Sequence, residues 1–400
     1  MPNIALHKLN SMYPNLYYFF WDLFDVRISA LRIINTFGFC VAISFLVAAW
    51  LLVKELKRKQ AQGLFTYEET TIDIGKPATM QELLLNFFLG FIFGYKILGV
   101  FFIEGALNDP QTFIFSSQGS WLAGIGLGLF FAGLKWWEKN KNKLAKPETR
   151  TIRIWPSDRV GDVVIISAIA GFLGAKIFDN LENWDRFIQN PIGNLLSPSG
   201  LTFYGGLIVA TIALAVYFKK HHMSFINMCD ANAPGLMFAY GWGRVGCQVA
   251  GDGDWGIVNA NPKPFSWLPN WLWSYDYPHN VNKEGIPILN CTWGDYCYHL
   301  PQGVYPTSLY EITIGLLLFA FLWLIRKKIS TPGRLFAIYL FVNGLERFFI
   351  EKIRVNTRYD IFGYHPTQAE IISFLLMITG IILYWYAPKL KTNFVSKNLT

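Results

Sequence analysis

Residues 33–53 read IINTFGFCVAISFLVAAWLLV, twenty-one positions without a charge. As an α-helix rising 1.5 Å per residue this run reaches about 31 Å, the depth of a hydrocarbon core. Lipid offers no partner to a backbone N–H or C=O, so a helix that pairs those groups internally is the structure such a run adopts. Comparable runs recur at 113–134 and 306–325, the latter interrupted by Glu311. The whole pattern predicts nine spans, at 30–53, 83–104, 116–136, 160–179, 201–218, 231–250, 306–325, 335–351 and 367–387. Composition agrees: 52% hydrophobic and 16% charged residues, with 34 Phe, 19 Tyr and 15 Trp, is too apolar for an ordinary soluble domain.

Basic residues orient the spans, because Lys and Arg accumulate in cytoplasmic loops. Loops 54–81, 135–159, 219–222, 326–334 and 389–400 hold 22 of the 35 Lys and Arg, against 8 in the segments between them. The N-terminus is therefore expected outside and the C-terminus inside. The net charge of +8 is accounted for by those loops and is no footprint of nucleic acid. No cleavable signal-peptide pattern precedes the first span, and arm 1–29, with Tyr13, Tyr17, Tyr18, Phe19, Phe20 and Trp21, reads as interfacial. Loop 135–159 reads as a plain basic connection. Segment 251–305 is long and polar enough for a small periplasmic head. It carries Cys291 and Cys297, which an oxidising compartment permits but does not oblige to pair.

Two stretches echo each other. Gly94-Tyr95-Lys96, Asn108-Asp109-Pro110 and Ser117-Gln118-Gly119 are followed eighty residues later by Gly174-Ala175-Lys176, Asn190-Pro191 and Ser199-Gly200. Spans two and three thus read as a diverged copy of spans four and five, an addition that preserves the orientation of everything downstream.

Ionised groups at membrane depth are costly and are usually paired or functional. Arg244, Arg347, Glu311, Glu346, Glu351, Lys96 and Lys176 are such groups, and the topology brings Arg244, Arg347 and Glu311 to the outward side. Arginine recognises phosphate through a planar, permanently charged fork, which suits a phospholipid headgroup. From the residues alone a second reading stays open: the two arginines only pair with Asp252, Glu311 or Glu351 to hold helices together.

Five ordered segments decide between these readings by resemblance. Gly243-Arg244-Val245-Gly246-Cys247, continuing through Asp252 and Asp254 to Trp255-Gly256, resembles the Gly-Arg-aliphatic-Gly-Asn signature of the prolipoprotein diacylglyceryl transferases. Thr202-Phe203-Tyr204-Gly205-Gly206 is similar to that family's Ser-Phe-His-Gly-Gly, and Asp230 stands fourteen residues before Arg244 as the family's aspartate does. Tyr305-Pro306-Thr307-Ser308-Leu309-Tyr310-Glu311 resembles its His-Pro-Ser-Gln-Leu-Tyr-Glu. Arg347-Phe348-Phe349-Ile350-Glu351-Lys352-Ile353-Arg354 resembles its Arg-Phe-x-x-Glu-x-x-Arg, and Gln368 opens the last span. Five departures stand out: Tyr204 and Tyr305 replace the family's histidines, Cys247 replaces its asparagine, Phe37 replaces a tyrosine of span one, and one residue is inserted around Asp254.

The resemblance implies an all-α polytopic inner-membrane transferase, with a seven-helix core plus the duplicated pair. It divides the chain into arm 1–29, first span with duplicated pair and basic loops 30–159, and core spans 160–250 with Tyr204 and Arg244. Head 251–305, core spans 306–388 with Glu311 and Arg347, and cytoplasmic tail 389–400 follow. The implied substrates are phosphatidylglycerol and the lipobox cysteine of a prolipoprotein signal peptide, within the bilayer and without metal or cofactor. The implied catalytic residues are Arg347, Arg244 and Tyr204. Substrate binding falls to Arg244, Gly205, Gly206, Asp230, Cys247, Asp252, Gly256, Tyr305, Glu311, Glu351, Arg354 and Gln368. A tyrosine is a poor base near neutral pH, so a histidine-base mechanism is unsupported, and His365 is a possible substitute. A catalytically silent lipid-binding paralogue and a transporter are the alternatives.

Overall fold

The computed structural model describes residues 11–107, 109–197, 200–360 and 363–390, without the side chains of 111 and 196. Residues 1–10 of the expected arm, most of the tail, and Asn108 and Ser199 of the repeat lie outside the described residues. The chain forms two compact units, Met1–Thr66 with Phe218–Thr400, and Tyr67–Tyr217.

In the first unit, α1 (Leu16–Phe24) precedes α2 (Thr36–Ala61), whose start is set by the Asn35 side chain accepting the Gly38 N–H. In the second, strand β1 (Glu68–Ile74) leads into α3 (Met80–Lys96), the short α4 (Pro110–Phe115) and α5 (Trp121–Lys141). Strand β2 (Glu148–Ile154) then pairs antiparallel with β1, Glu68 opposite Ile154 and Ile74 opposite Glu148. There follow α6 (Val160–Glu182), α7 (Trp184–Gln189), α8 (Pro191–Leu196) and α9 (Phe203–Lys220). The chain returns to the first unit with α10 (Phe225–Ala250) and the head, which holds α11 (Asn270–Trp273) and the strands β3 (Ile286–Pro287) and β4 (Tyr298–His299). Helices α12 (Thr307–Ile325), α13 (Arg334–Ile350) and α14 (Gln368–Tyr386) complete it.

Helix α10 is the axis of the first unit, packed by α2, α12 and α13. Glycine makes the closest crossing: a Cβ on Gly315 would sit 2.8 Å from the Gly241 Cα, so only two bare backbones pass there. The head has its own core of Met12, Trp255, Tyr275, Tyr277, Leu300 and Val304. A disulfide joins Cys291 and Cys297. Within the loop it closes, Trp293 stacks on Tyr18 of α1 and on His279. Burial holds the His279 imidazole below its usual pKa.

Six described helices are long and apolar enough to cross a membrane: Thr36–Ala61, Met80–Phe101, Pro156–Glu182, Phe203–Lys220, Thr307–Ile325 and Gln368–Lys389. At the places of the other three predicted spans stand the helices α5, α10 and α13, which charge or length keeps out of that set. Helix α5 ends in a charged last turn, α10 carries Asp230 and Arg244, and α13 is 17 residues long with Glu346 and Arg347. The protein is thus an all-α membrane protein. Two expectations are corrected. Residues 135–159 are no plain connection, since β2 lies within them; Thr149 and Asp73, and Arg153 and Glu69, pair across the ribbon. The first span begins at Thr36 instead of residue 30, because Ser29–Ile33 is a 3-10 turn, and it continues to Ala61.

Candidate functional site

Arg244 lies three residues beyond Gly241 on α10, and Glu311 four residues before Gly315 on α12. The bare-backbone crossing one turn away therefore brings these two charges together. Arg347, in the last turn of α13, and Arg354, just beyond it, approach the same carboxylate.

Glu311 is fully buried and receives all three guanidinium groups. Its Oε2 lies 3.3 Å from Arg244 Nε and 3.2 Å from Arg354 Nη1, and its Oε1 lies 3.1 Å from Arg347 Nη1. Asp254 forms a second bridge, pairing with both Arg244 and Arg354. The Asp254 carbonyl is held by the Thr307 and Ser308 hydroxyls at 2.7 and 2.9 Å, which tie the head to the first turn of α12. Arg347 Nη2 lies 2.9 Å from Glu351 Oε2, an ion pair without hydrogen-bond alignment, while Asn356 donates to Glu351 Oε1 at 2.6 Å. Buried charges survive only when paired this way. Among the described residues no acceptor engages Arg244 Nη2 or Arg347 Nε. Those donors remain for an incoming anion.

The Tyr240 hydroxyl, one turn before Arg244, lies 2.9 Å from Glu311 Oε1 and 2.9 Å from Glu346 Oε2. The buried Cys247 thiol hydrogen-bonds Asp252, whose carboxyl is pushed up by burial, against the opposing pull of that bond, Arg244 and Arg354. Ligand atoms of Cys247, Asp252 and Asp254 lie within 4.8 Å of one another, close enough to hold a cation. Asp254 of this set already faces the guanidiniums of Arg244 and Arg354. Gly256 bridges to Arg354, and a Cβ there would collide with the Ile353 carbonyl; only glycine lets the head approach the segment that follows α13.

Asp230, Tyr305, Gln368 and His365 make other contacts, and Tyr204, Gly205 and Gly206 belong to the second unit. Asp230 sits at the far end of α10, fourteen residues or about 21 Å from Arg244. It accepts the Gly333 and Phe336 N–H groups at 2.8 Å each and faces Lys59 at 3.6 Å, so it caps α13 and fixes the helix that carries Arg347. Tyr305 accepts a hydrogen bond from Asn261, and Gln368 is exposed at the start of α14. His365 is 61% exposed, 4.0 Å from Asp360. Tyr204, Gly205 and Gly206 open α9 in the second unit, where Gly205 and Gly206 pack against the backbone of α6 at Gly174 and Gly171. Sequence reading missed Tyr240, although its i,i+4 spacing from Arg244 places both on one helix face. It noted Asp254 only as part of an insertion.

A family profile described as prolipoprotein diacylglyceryl transferase matches residues 120–386. A phosphatidylglycerol–prolipoprotein diacylglyceryl transferase of Dehalococcoides mccartyi is 28% identical over 243 residues, 60% of this chain and 81% of that protein. One from Staphylococcus haemolyticus is 28% identical over 57% of this chain and 73% of its own length. A second-copy enzyme of Clostridium perfringens is 25% identical over 65% and 87%.

Proposed function

The chain belongs to the prolipoprotein diacylglyceryl transferase family, and from that premise we propose how its residues act. The protein is a membrane transferase that moves the diacylglyceryl group of phosphatidylglycerol to the cysteine thiol of a prolipoprotein, forming a thioether and releasing glycerol phosphate.

One observation carries the mechanism: Arg244 and Arg347 grip the same buried carboxylate. Two guanidiniums that share one small anion are placed to share another. The lipid phosphodiester binds the open donors, Arg244 Nη2 and Arg347 Nε, with Glu311, Asp254 and Glu351 holding both side chains rigid. The lipobox cysteine attacks the glycerol carbon as a thiolate; the C–O bond to phosphate breaks and its electron pair stays on the phosphate oxygen. Fixed cations aimed at that developing charge cost no reorganisation during reaction. The same positive field eases loss of the thiol proton. Arg354 braces Glu311 and Asp254, and Asp252 orients Cys247; the family resemblance gives Tyr204 of the second unit a part in catalysis. Tyr305 and Gln368 line the approach, and Asp230 contributes by positioning α13.

In the bacterial inner membrane, all nine long helices cross the bilayer. The head is periplasmic, the C-terminus cytoplasmic and the site faces the outer leaflet. The polar α10 tolerates lipid depth because α2, α12 and α13 cover it. The test is transfer by purified protein, reconstituted with phosphatidylglycerol and a lipobox peptide. The parent adds one diacylglyceryl mass to the peptide, and Arg244→Ala and Arg347→Ala each lower kcat by about 10²–10³. A peptide that never gains that mass identifies a silent paralogue instead.

A further inference from the structure

We propose that Glu346 stores a proton and delivers it through the Tyr240 hydroxyl to the departing phosphate, the pair acting as the general acid of the transfer. The proposal rests on the transferase reading above.

The geometry requires a proton that the ordinary charge states do not provide. Tyr240 Oη lies 2.9 Å from a carboxylate oxygen on each side, Glu311 Oε1 and Glu346 Oε2, yet a phenol has one hydrogen to donate. One carboxyl must therefore donate back to it. Glu311 is contacted by Arg244, Arg347 and Arg354 and stays ionised. Glu346 has no cation within ion-pair distance among the described residues, is 6% exposed, and its Oε1 is buried without a partner. A lone buried carboxylate is far costlier than a neutral carboxyl. The order is thus Glu346 carboxyl to Tyr240 oxygen, and Tyr240 hydroxyl to Glu311 carboxylate. The charged and titratable groups around the pair are Glu311 on α12, Arg244 on α10, Arg347 on its own helix and Arg354 just after it.

The bookkeeping closes with no reactant beyond water. As the C–S bond forms and the C–O bond breaks, the Tyr240 hydroxyl turns from Glu311 and gives its proton to the phosphate oxygen that takes the electron pair, and Glu346 refills Tyr240. The thiol proton leaves to water before attack, and Glu346 regains one from water once the products depart, so the net change is one proton from sulfur to phosphate in each turnover. Glu346 acts only through Tyr240 and is a positioning and storage residue.

Steady-state transfer from phosphatidylglycerol to a lipobox peptide across a pH series separates this from a purely structural role. Glu346→Gln keeps the shape and one donor but cannot release a proton. It should lower kcat about 10²-fold, leave KM within about twofold, and abolish the alkaline limb of the kcat profile. Glu346→Asp should keep that limb with partial activity. Tyr240→Phe should match Glu346→Gln, and the double variant should be no worse than either, because both break one chain. Independently of activity, the infrared spectrum of the parent at neutral pH should hold a protonated-carboxyl band that Glu346→Gln lacks. An unchanged kcat, a fallen kcat with the alkaline limb intact, multiplying losses in the double variant, or no such band overturns the proposal. A parent that modifies no peptide overturns the transferase reading, while the band still decides where the proton sits.

Discussion

The hairpins 80–141 and 160–220 are built on the same physical devices yet differ at one position that matters. In each, a lysine in the C-terminal part of the first helix turns its ammonium onto loop carbonyls. Lys96 engages those of Phe113, Ser116 and Gln118, and Lys176 those of Ser197 and Gly200. In each, a proline opens the short loop helix behind an Asp or Asn cap, Asp109-Pro110 and Asn190-Pro191. The Ser120 N–H meets the Tyr95 carbonyl at 3.0 Å as the Thr202 N–H meets that of Ala175 at 3.1 Å. A glycine presses on the opposite backbone in both, Gly94 on Ala123 and Gly174 on Gly205. This register pairs Leu122, 82% exposed, with Tyr204. The hairpin 80–141 keeps what folds it and lacks the hydroxyl that the transferase reading uses. Residues that satisfy backbone and permit close packing are therefore separable here from residues that meet substrate.

Paired substitutions sharpen that difference, the largest effect first. Gly174→Leu pushes α9 off α6, at about 1–3 kcal/mol of overpacking, and should cut transfer at least 10²-fold by displacing Tyr204. Gly94→Leu, at the same packing cost, should leave kcat within about twofold, and equal losses in the two assays would erase the distinction. Tyr204→Phe should lower kcat about tenfold without lowering the melting temperature, whereas Leu122→Tyr should change neither. Lys176→Met and Lys96→Met each strand loop carbonyls, at about 1–3 kcal/mol. Thermal unfolding in detergent should fall in both, and transfer only in the first.

Removing the first hairpin tests the comparison directly. Ile74 and Glu148 are paired at the open end of the β1–β2 ribbon, so replacing residues 75–147 by an Asn-Gly turn closes it as a hairpin. Transfer should stay within a few-fold of the parent; an inactive but folded protein would give the extra pair a role in catalysis. The smallest effect lies in the head and serves as a control on both hairpins. The pKa of His279 is held down by burial, so its contribution to stability is present above the ordinary imidazole value of about 6.5. It is lost as pH falls through the lower folded value. Trp293, stacked on it, should report loosening between pH 7 and 5 by fluorescence, and His279→Phe should flatten that response.

The apolar runs, the basic loops, the repeated Gly-Lys-Pro pattern and the Arg244, Glu311 and Arg347 segments were legible in the chain. Each rests on local physics: hydrocarbon depth, charge placement, and residue types whose chemistry is intrinsic. Tertiary packing alone decided that Asp230 caps a helix about 21 Å from Arg244, because its partners, Gly333 and Phe336, lie a hundred residues away. It likewise decided that 148–154 is a strand, since a polar ribbon shows only when its partner is known. The Tyr240 hydroxyl between Glu311 and Glu346 belongs to the same class. A hydrogen bond shared by three helices depends on their crossing, and that crossing is set where Gly241 and Gly315 let two backbones touch.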